Sequence, residues 1–159
     1  MLPRRRPIGP RPRPKVTKAE GRGRPSDRCA DPPPAALLDG IAKFNRQEYW
    51  EQHETLEELW IEEGDPVRHL YQGILQIGVA FHHWLRGNYR GADLLLERGL
   101  GYLQPFRPAC MSVDVERLVM ETAACHADLR RLGPKRMLQY DSARFPLVHR
   151  IEMDEENGP

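Results

Sequence analysis

The sequence predicts an all-α fold of about five helices in a compact, antiparallel-leaning bundle. Apolar residues recur at helical spacing from Leu37 to about Leu132. Gly and Pro interrupt that pattern where helices would end, and no strand pattern competes with it before Phe145. The chain has 159 residues, which suits one ordinary domain. These observations favour a helical bundle joined by short loops.

Charge and proline content divide the chain into three segments. Residues 1–34 contain ten basic residues, three acidic residues and nine of the 15 prolines. Such a segment cannot offset the entropy of ordering, which predicts a disordered, basic Pro/Arg-rich arm. Residues 35–134 then form the helical domain, and residues 135–159 form a partly disordered C-terminal extension. The arm predicts weak, non-specific polyanion binding; the alternatives are a solubilising extension or residues without a role.

Composition also bears on location. No run of 18 apolar residues exists, so no membrane association is expected. The N-terminus lacks the apolar stretch of a secretory signal. Three cysteines, Cys29, Cys110 and Cys125, form no CxxC pair, and the odd count does not suggest a disulfide framework. We therefore expect a cytoplasmic protein with reduced thiols.

The first three helices follow from apolar periodicity and end signals. The first is predicted over residues 35–46 and the second over residues 48–62, ending before Gly64. Asp65 then suits the N-cap of a third helix over residues 66–86. This third helix has the broadest apolar face, which predicts that it is central.

The remaining helices are predicted over residues 90–103 and 113–132. Pro105 and Pro108 prevent continuation of the fourth helix. Residues 145–151 are either a short strand or an extended arm lying on the bundle, and residues 153–159 are expected to fray.

The second helix is the most informative segment. Eight acidic residues and no Lys or Arg occur between Glu48 and Asp65, a composition that attracts cations or a basic partner. His53 and Glu57 are four residues apart, separated by about 40° and 6 Å, so their side chains can converge on one ion. Glu54 lies about 100° around the helix, beside the pair or in solvent. The HExxH motif of zinc proteases is absent because Glu57 replaces its second His.

The third helix carries a polar stripe that can complete a site. Gln72, Gln76 and His83 are spaced by four and seven residues on an otherwise apolar helix. If the second and third helices form a hairpin, this stripe faces His53 and Glu57.

This arrangement predicts a divalent metal site whose ligands are His53, Glu57 and His83. The residue types do not distinguish Zn, Mn, Fe and Ni. Gln72 and Gln76 would orient a water or ligand. If the protein is an enzyme, metal-assisted hydrolysis is the reaction class to test first. Tyr49 and Trp60 would wall the site.

The alternative hypothesis is a non-catalytic interaction module whose polar cluster is a structural hydrogen-bond network. Asn88, Tyr89 and Ala92 loosely match the turn of a tetratricopeptide helix pair. The acidic second helix would then bind a basic segment, such as this protein's own arm, and homo-oligomers are also possible. Gly73 and Gly78 indicate close backbone packing, and we expect the second helix to cross near Gly73.

The combined motifs resemble domain-of-unknown-function family 309, a group of small, all-helical prokaryotic proteins. The resemblance covers roughly residues 36–104. The family's pattern of His, three residues, Glu, two residues and Trp is met by His53, Glu57 and Trp60, and the resemblance implies metal binding by that motif. One departure is the turn between the first two helices, which usually has Gly and here reads Arg46, Gln47. Other matching positions are Phe44, Asn45, Glu48, Tyr49, Glu51, Glu54, Leu56, Gln72, Gly73, Gln76, His83, Gly87, Asn88, Gly91 and Ala92.

Overall fold

The structure is a computed structural model that describes residues 26–151. Within that range the all-α fold class is confirmed. None of these helices is both long enough and apolar enough to cross a membrane. The expected disorder of residues 1–25 and fraying of residues 153–159 fall outside the described residues. The α-helices are α1 (Ala35–Asn45), α2 (Tyr49–Glu62), α3 (Arg68–Leu85), α4 (Tyr89–Leu103) and α5 (Val115–Arg136).

Helix α3 is central, as its broad apolar face predicts. It packs against α2 on one side and α4 on the other, while α1 packs on α2 and α5 packs on α4. Its core side chains include Ile74 and Phe81, which are fully buried. The buried apolar core of the described chain lies between Leu37 and Val148.

Glycines allow α3 to approach both neighbours closely. A Cβ atom on Gly73 would lie 3.2 Å from the carbonyl oxygen of Gly99 in α4, and a Cβ on Gly99 would lie 3.0 Å from the carbonyl oxygen of Gly73. On the other side, the Gln52 amide of α2 fills the space beside Gly78. The expectation that the second helix crosses near Gly73 is therefore wrong, because α4 crosses there and α2 contacts Gly78.

A small β-hairpin precedes α5, although no strand was expected before Phe145. Strands β1 (Ala109–Cys110) and β2 (Val113–Asp114) pair antiparallel. Strands of two residues are too short to show the alternation of apolar and polar residues by which a strand is predicted. Helix α5 consequently begins two residues later than predicted, and the Asp114 side chain caps it by accepting from the Arg117 backbone N–H at 3.0 Å.

The C-terminal segment lies on the bundle as an extended arm, one of the two predicted arrangements. Asn45 holds it through two bonds: its Nδ2 donates to the Val148 carbonyl at 3.0 Å, and its Oδ1 accepts from the Val148 N–H at 2.8 Å. Phe145 stacks on Phe81 with ring centroids 4.4 Å apart. A single isolated bridge joins Val113 and Arg150 within the described chain.

The turn between α1 and α2 keeps a left-handed backbone without glycine. Gln47 has φ 62°, a conformation that is unfavourable for a residue with a side chain. Its Nε2 donates to the Ser142 carbonyl at 2.9 Å. The departure from the family's Gly therefore retains the left-handed turn and adds a contact to the C-terminal segment.

A disulfide joins Cys29 to Cys110, so the expectation of reduced, unpaired thiols is wrong for these two residues. An odd cysteine count does not exclude a pair, and a separation of 81 residues leaves no spacing signature. Cys125 is a buried free thiol. The cytoplasmic location stays a prediction, and disulfides are rare in that compartment.

The disulfide also extends the domain toward the N-terminus. Residues Asp27–Ala30 form a short 3₁₀ turn, although they belong to the segment predicted as the arm. The Met111 N–H donates to the Cys29 carbonyl at 2.8 Å, which adds a backbone contact beside the disulfide. Regular backbone structure is thus present before Pro34, the predicted boundary between the arm and the helical domain.

Replacing Cys29 should lower the free energy of unfolding. The disulfide closes a loop of 81 residues, for which chain entropy predicts a stabilisation of about 4 kcal/mol. Urea denaturation of the wild type and of Cys29→Ser, each with and without reductant, measures the difference. We expect reductant to lower the wild-type midpoint and to leave the Cys29→Ser midpoint in place; a wild type insensitive to reductant would contradict this.

Substitution of Gly99 by Ala should destabilise the protein by about 1–3 kcal/mol, because the new methyl group overpacks the α3–α4 crossing. Gly101→Ala is the matched control, since it lies in the same helix with no atom within 4 Å of its added Cβ. That control should be neutral or stabilising by up to about 1 kcal/mol. Thermal unfolding followed by circular dichroism compares them, and equal effects of the two substitutions would refute the close crossing.

Candidate functional site

His53 and Glu57 converge on one side of α2. The two side chains are buried, and His53 Nε2 lies 3.6 Å from Glu57 Oε2. This geometry is what the four-residue spacing predicts. The pair can act as a buried ion pair when His53 is protonated or can present one nitrogen and one oxygen to a ligand.

Trp50 extends this pair toward α3. Its ring centroid lies 4.9 Å from that of His53 and 5.6 Å from that of His82. Trp50 Nε1 is buried and has no hydrogen-bond partner among residues 26–151. Burial, assisted by the charge of Arg86, lowers the pKa of His82 below its usual range. Sequence analysis did not single out Trp50, although it lies one helical turn before His53.

Trp60 packs against a buried arginine, and its role as a wall of the site stays a prediction. The guanidinium carbon of Arg68 lies 4.4 Å from the centre of the Trp60 ring. Arg68 Nη2 donates to the Trp60 carbonyl at 3.2 Å. Arg68 was missed by sequence analysis, yet its position four residues before Gln72 places it near the same polar stripe.

Gln72, which is buried, and Gln76 lie on the side of α3 between its contacts with α2 and its contacts with α4. We call this side of α3 the gap between α2 and α4. On one side of them, the Leu75 carbonyl accepts from Gln52 Nε2 of α2 at 3.1 Å, and on the other side Gly73 meets α4. At about 100° of rotation per residue, Gln72 and Gln76 lie between these two contacts. Neither Oε1 has a hydrogen-bond partner within the described chain. We call the residues along this line the α3 stripe: Gln72, Gln76, Val79 and His83.

His83 is engaged at the turn between α3 and α4. Its Nδ1 lies 3.2 Å from Asn88 Nδ2, and Asn88 Oδ1 accepts from the Gly91 N–H at 3.0 Å. Burial lowers the pKa of His83. Across residues 26–151, no group of three His, Cys, Asp or Glu side chains is placed to hold a metal ion. The ligand set of His53, Glu57 and His83 therefore stays a prediction.

Tyr49 lies in an aromatic cluster of the core. Its ring centroid is 5.5 Å from that of Phe44 and 5.7 Å from that of Phe81. Burial raises its pKa. Tyr49 thus contributes packing between α1, α2 and α3, and its role as a wall of the site stays a prediction.

The outward side of α2 is strongly acidic. Glu54 is partly exposed there, and its neighbours on the same side are more exposed. At three or four residues per step, these carboxylates repeat about every 4.5 to 6 Å along the helix. We call this surface the acidic face of α2: Glu51, Glu54, Glu58 and Glu62.

The end of α2 receives the N-terminal segment. Arg28 Nη1 donates to both carboxylate oxygens of Glu63, at 2.6 and 2.7 Å. The Ser26 hydroxyl donates to Asp65 Oδ1. The first described residue is therefore fixed at the α2–α3 turn, beside the acidic face.

Known proteins share part of this architecture. Residues 37–95 match the family described as "Domain of unknown function (DUF309)". The uncharacterised protein YpuF of Bacillus subtilis (strain 168) is 37% identical over 73 residues, which cover 45% of this chain and 42% of YpuF. The chain thus spans less than half the length of that relative. No solved structure matches. The similarity to the DUF309 family therefore extends from α1 into α4.

Proposed function

We propose that the domain is a non-catalytic binding module whose gap between α2 and α4 takes a basic, extended peptide segment. One observation carries this proposal: within residues 26–151, the buried atoms without hydrogen-bond partners include the donor Trp50 Nε1 as well as the acceptors Gln72 Oε1 and Gln76 Oε1. A peptide backbone supplies both donors and acceptors, whereas a metal ion would pair only with the acceptors. The mixed set therefore favours a peptide.

Energetics support the same choice. A buried polar group without a partner costs about 1–3 kcal/mol, so a segment that supplies partners to these atoms regains that free energy on binding. The acidic face of α2 adds long-range attraction for Lys and Arg side chains. Charge-assisted bonds from guanidinium to carboxylate are also stronger than neutral ones.

Other polar groups between α2 and α3 serve to hold these helices together. Gln52 Nε2 donates to the Leu75 carbonyl, and Arg68 caps the Trp60 carbonyl while stacking on its ring. These contacts support the structural-network hypothesis for the helix interface. A rigid pair of helices is a suitable frame for an extended ligand because little order has to be gained on binding.

Neutralising the acidic face should weaken peptide binding. The test uses the chain shortened to begin at Ser26, which keeps the whole described core, and a fluorescent 12-residue peptide rich in Arg and Pro. We expect Glu54→Gln/Glu58→Gln to bind about tenfold more weakly by anisotropy, as the loss of two charge pairs of up to about 1 kcal/mol each implies. Circular dichroism verifies folding.

Glu97→Gln/Glu121→Gln is the matched control, since it removes the same charge from α4 and α5. Its affinity should fall less than twofold. Equal affinities of the two double variants, or no binding by the shortened wild type, would contradict the proposed function.

A metal site on α2 is the second candidate, favoured by the 3.6 Å approach of His53 Nε2 to Glu57 Oε2. These atoms suit Zn, Mn, Fe or Ni, and an amide oxygen of the α3 stripe is a suitable third donor. The permanent positive charge of Arg68, stacked on Trp60 within one turn of Glu57, weighs against a cation. Metal-assisted hydrolysis is a proposal that depends on this site.

Elemental analysis of untagged protein tests the metal candidate. Near-stoichiometric metal should disappear in His53→Ala and in Glu57→Ala, while circular dichroism still reports helix. His149→Ala, outside the site, should retain the metal. Metal content that is equal in all three variants, or absent from the wild type, would eliminate this candidate.

A further inference from the structure

A cavity of about 370 Å³ lies between α5 and residues 140–149 of the C-terminal segment. Cavities of this size are large enough to hold a small organic molecule. On α5 the lining residues run from Arg117 to Asp128 along one side of the helix, a length of about 16 Å. The lining residues come after residues 37–95, so the cavity lies outside the segment that matches the family.

The walls of this cavity are held in place by contacts that are already formed. The Phe145 ring is buried in the aromatic part of the core. Cys125 Sγ donates to the Arg144 carbonyl at 3.7 Å, which joins the C-terminal segment to α5. Near the other end of the cavity, the Asp114 N–H donates to the His149 carbonyl at 2.9 Å. A ligand would therefore enter a preformed site, which lowers the entropy lost on binding.

Part of the lining is apolar. It comprises Ala124 of α5 and three consecutive residues of the C-terminal segment, Phe145, Pro146 and Leu147. Leu147 is exposed, so an apolar ligand body lying against it would remove apolar surface from water. Burial raises the pKa of the Cys125 thiol, which also lines the cavity, so this group is neutral at ordinary pH.

Two carboxylates line the cavity, and each already has a partner. Arg117 Nε donates to Glu121 Oε2 at 3.0 Å. Asp128 accepts from Arg131 Nη1 and from the Tyr140 hydroxyl, each at 2.9 Å. The two arginines offset the negative charge that would otherwise repel an anion from the cavity.

Arg144 presents an accessible positive charge at the cavity. Its guanidinium carbon lies 4.9 Å from the centre of the Tyr140 ring, a cation–π contact that positions the side chain. Its Nη2 lies 3.8 Å from Asp128 Oδ2, which is too long for a hydrogen bond. The Arg144 side chain is 63% exposed, so its N–H groups are within reach of a ligand. A planar guanidinium binds a carboxylate through two parallel hydrogen bonds.

We propose that this cavity binds a small organic carboxylate with an apolar body. The carboxylate pairs with Arg144, and the apolar body lies against Phe145 and Leu147. An ammonium group on the same body would meet Arg144 with like charge and would bind less well. The site shares no lining residue with the gap between α2 and α4, so this inference does not depend on the proposed peptide binding.

Calorimetric titration of the full chain with octanoate tests the proposal. Octylammonium is the matched probe, since it keeps the apolar chain and reverses the charge. With both probes monomeric in solution, we expect octanoate to bind with a dissociation constant below about 1 mM and octylammonium to bind about tenfold more weakly. Absence of octanoate binding, or equal binding of the two probes, would overturn the proposal.

Variants of Arg144 test the charged contact. Arg144→Gln should weaken octanoate binding about tenfold, because it removes the charge-assisted hydrogen bonds. Arg150→Gln is the matched control, since Arg150 is exposed in the same segment and does not line the cavity. Its affinity should equal that of the wild type. Equal affinities of Arg144→Gln and the wild type would overturn the proposal.

A substitution that fills the cavity tests its location. Ala124→Phe places a large side chain in the cavity from an exposed position on α5 and should abolish octanoate binding. Ala127→Phe adds the same side chain at an exposed position of that helix outside the lining, and should bind as the wild type. Circular dichroism verifies that both variants fold. Octanoate binding that Ala124→Phe leaves unchanged, or that both substitutions abolish, would place the ligand elsewhere and overturn the proposal.

Discussion

The close packing of α3 against α2 and α4 is the constraint on which the rest of the domain depends. Gly73 and Gly99 bring two helix backbones nearly into contact, and Gln52 fills the space beside Gly78 on the opposite side. Helix α3 is thereby covered on two sides, while Ile74 and Phe81 bury a third side in the core. Its remaining side is the α3 stripe. The position of the candidate site therefore follows from the close packing of α2, α3 and α4.

Several residues of the pattern that resembles DUF309 support this packing. Asn45 holds the C-terminal segment, and Asn88 caps α4 while contacting His83. Trp60 is buried against Arg68. Within the pattern of His, Glu and Trp, this contact of Trp60 joins α2 to α3.

The helices could be predicted from the sequence because their apolar period and end signals are local. The convergence of His53 and Glu57 could also be predicted, since one helix fixes both positions. The hairpin at Ala109–Cys110 and the disulfide to Cys29 could not, because both depend on distant contacts. The crossing at Gly73 was assigned to the wrong partner, since a glycine reports close approach without identifying the neighbour.

At the site too, sequence periodicity does not reveal contacts outside one helix, as the contact of His83 with Asn88 shows. Helical spacing places His83 on the same side of α3 as Gln72 and Gln76. The contact of His83 with Asn88, in the turn after α3, does not follow from that spacing. The position of Arg68 beside this polar stripe could have been predicted from the sequence, because Arg68 lies one helical turn before Gln72. The buried donor Trp50 Nε1 could not have been predicted, since its burial depends on the contact of Trp50 with His82 across the helix interface.

The disulfide between Cys29 and Cys110 has a topological consequence. Together with the backbone between them, these cysteines form a covalent ring that contains α1 to α4 and the whole segment matching the family, residues 37–95. A single peptide-bond break within that ring leaves both fragments covalently joined. Residues 1–25 therefore stay attached to the molecule after such a nick, so a protease must cut outside the ring to release them.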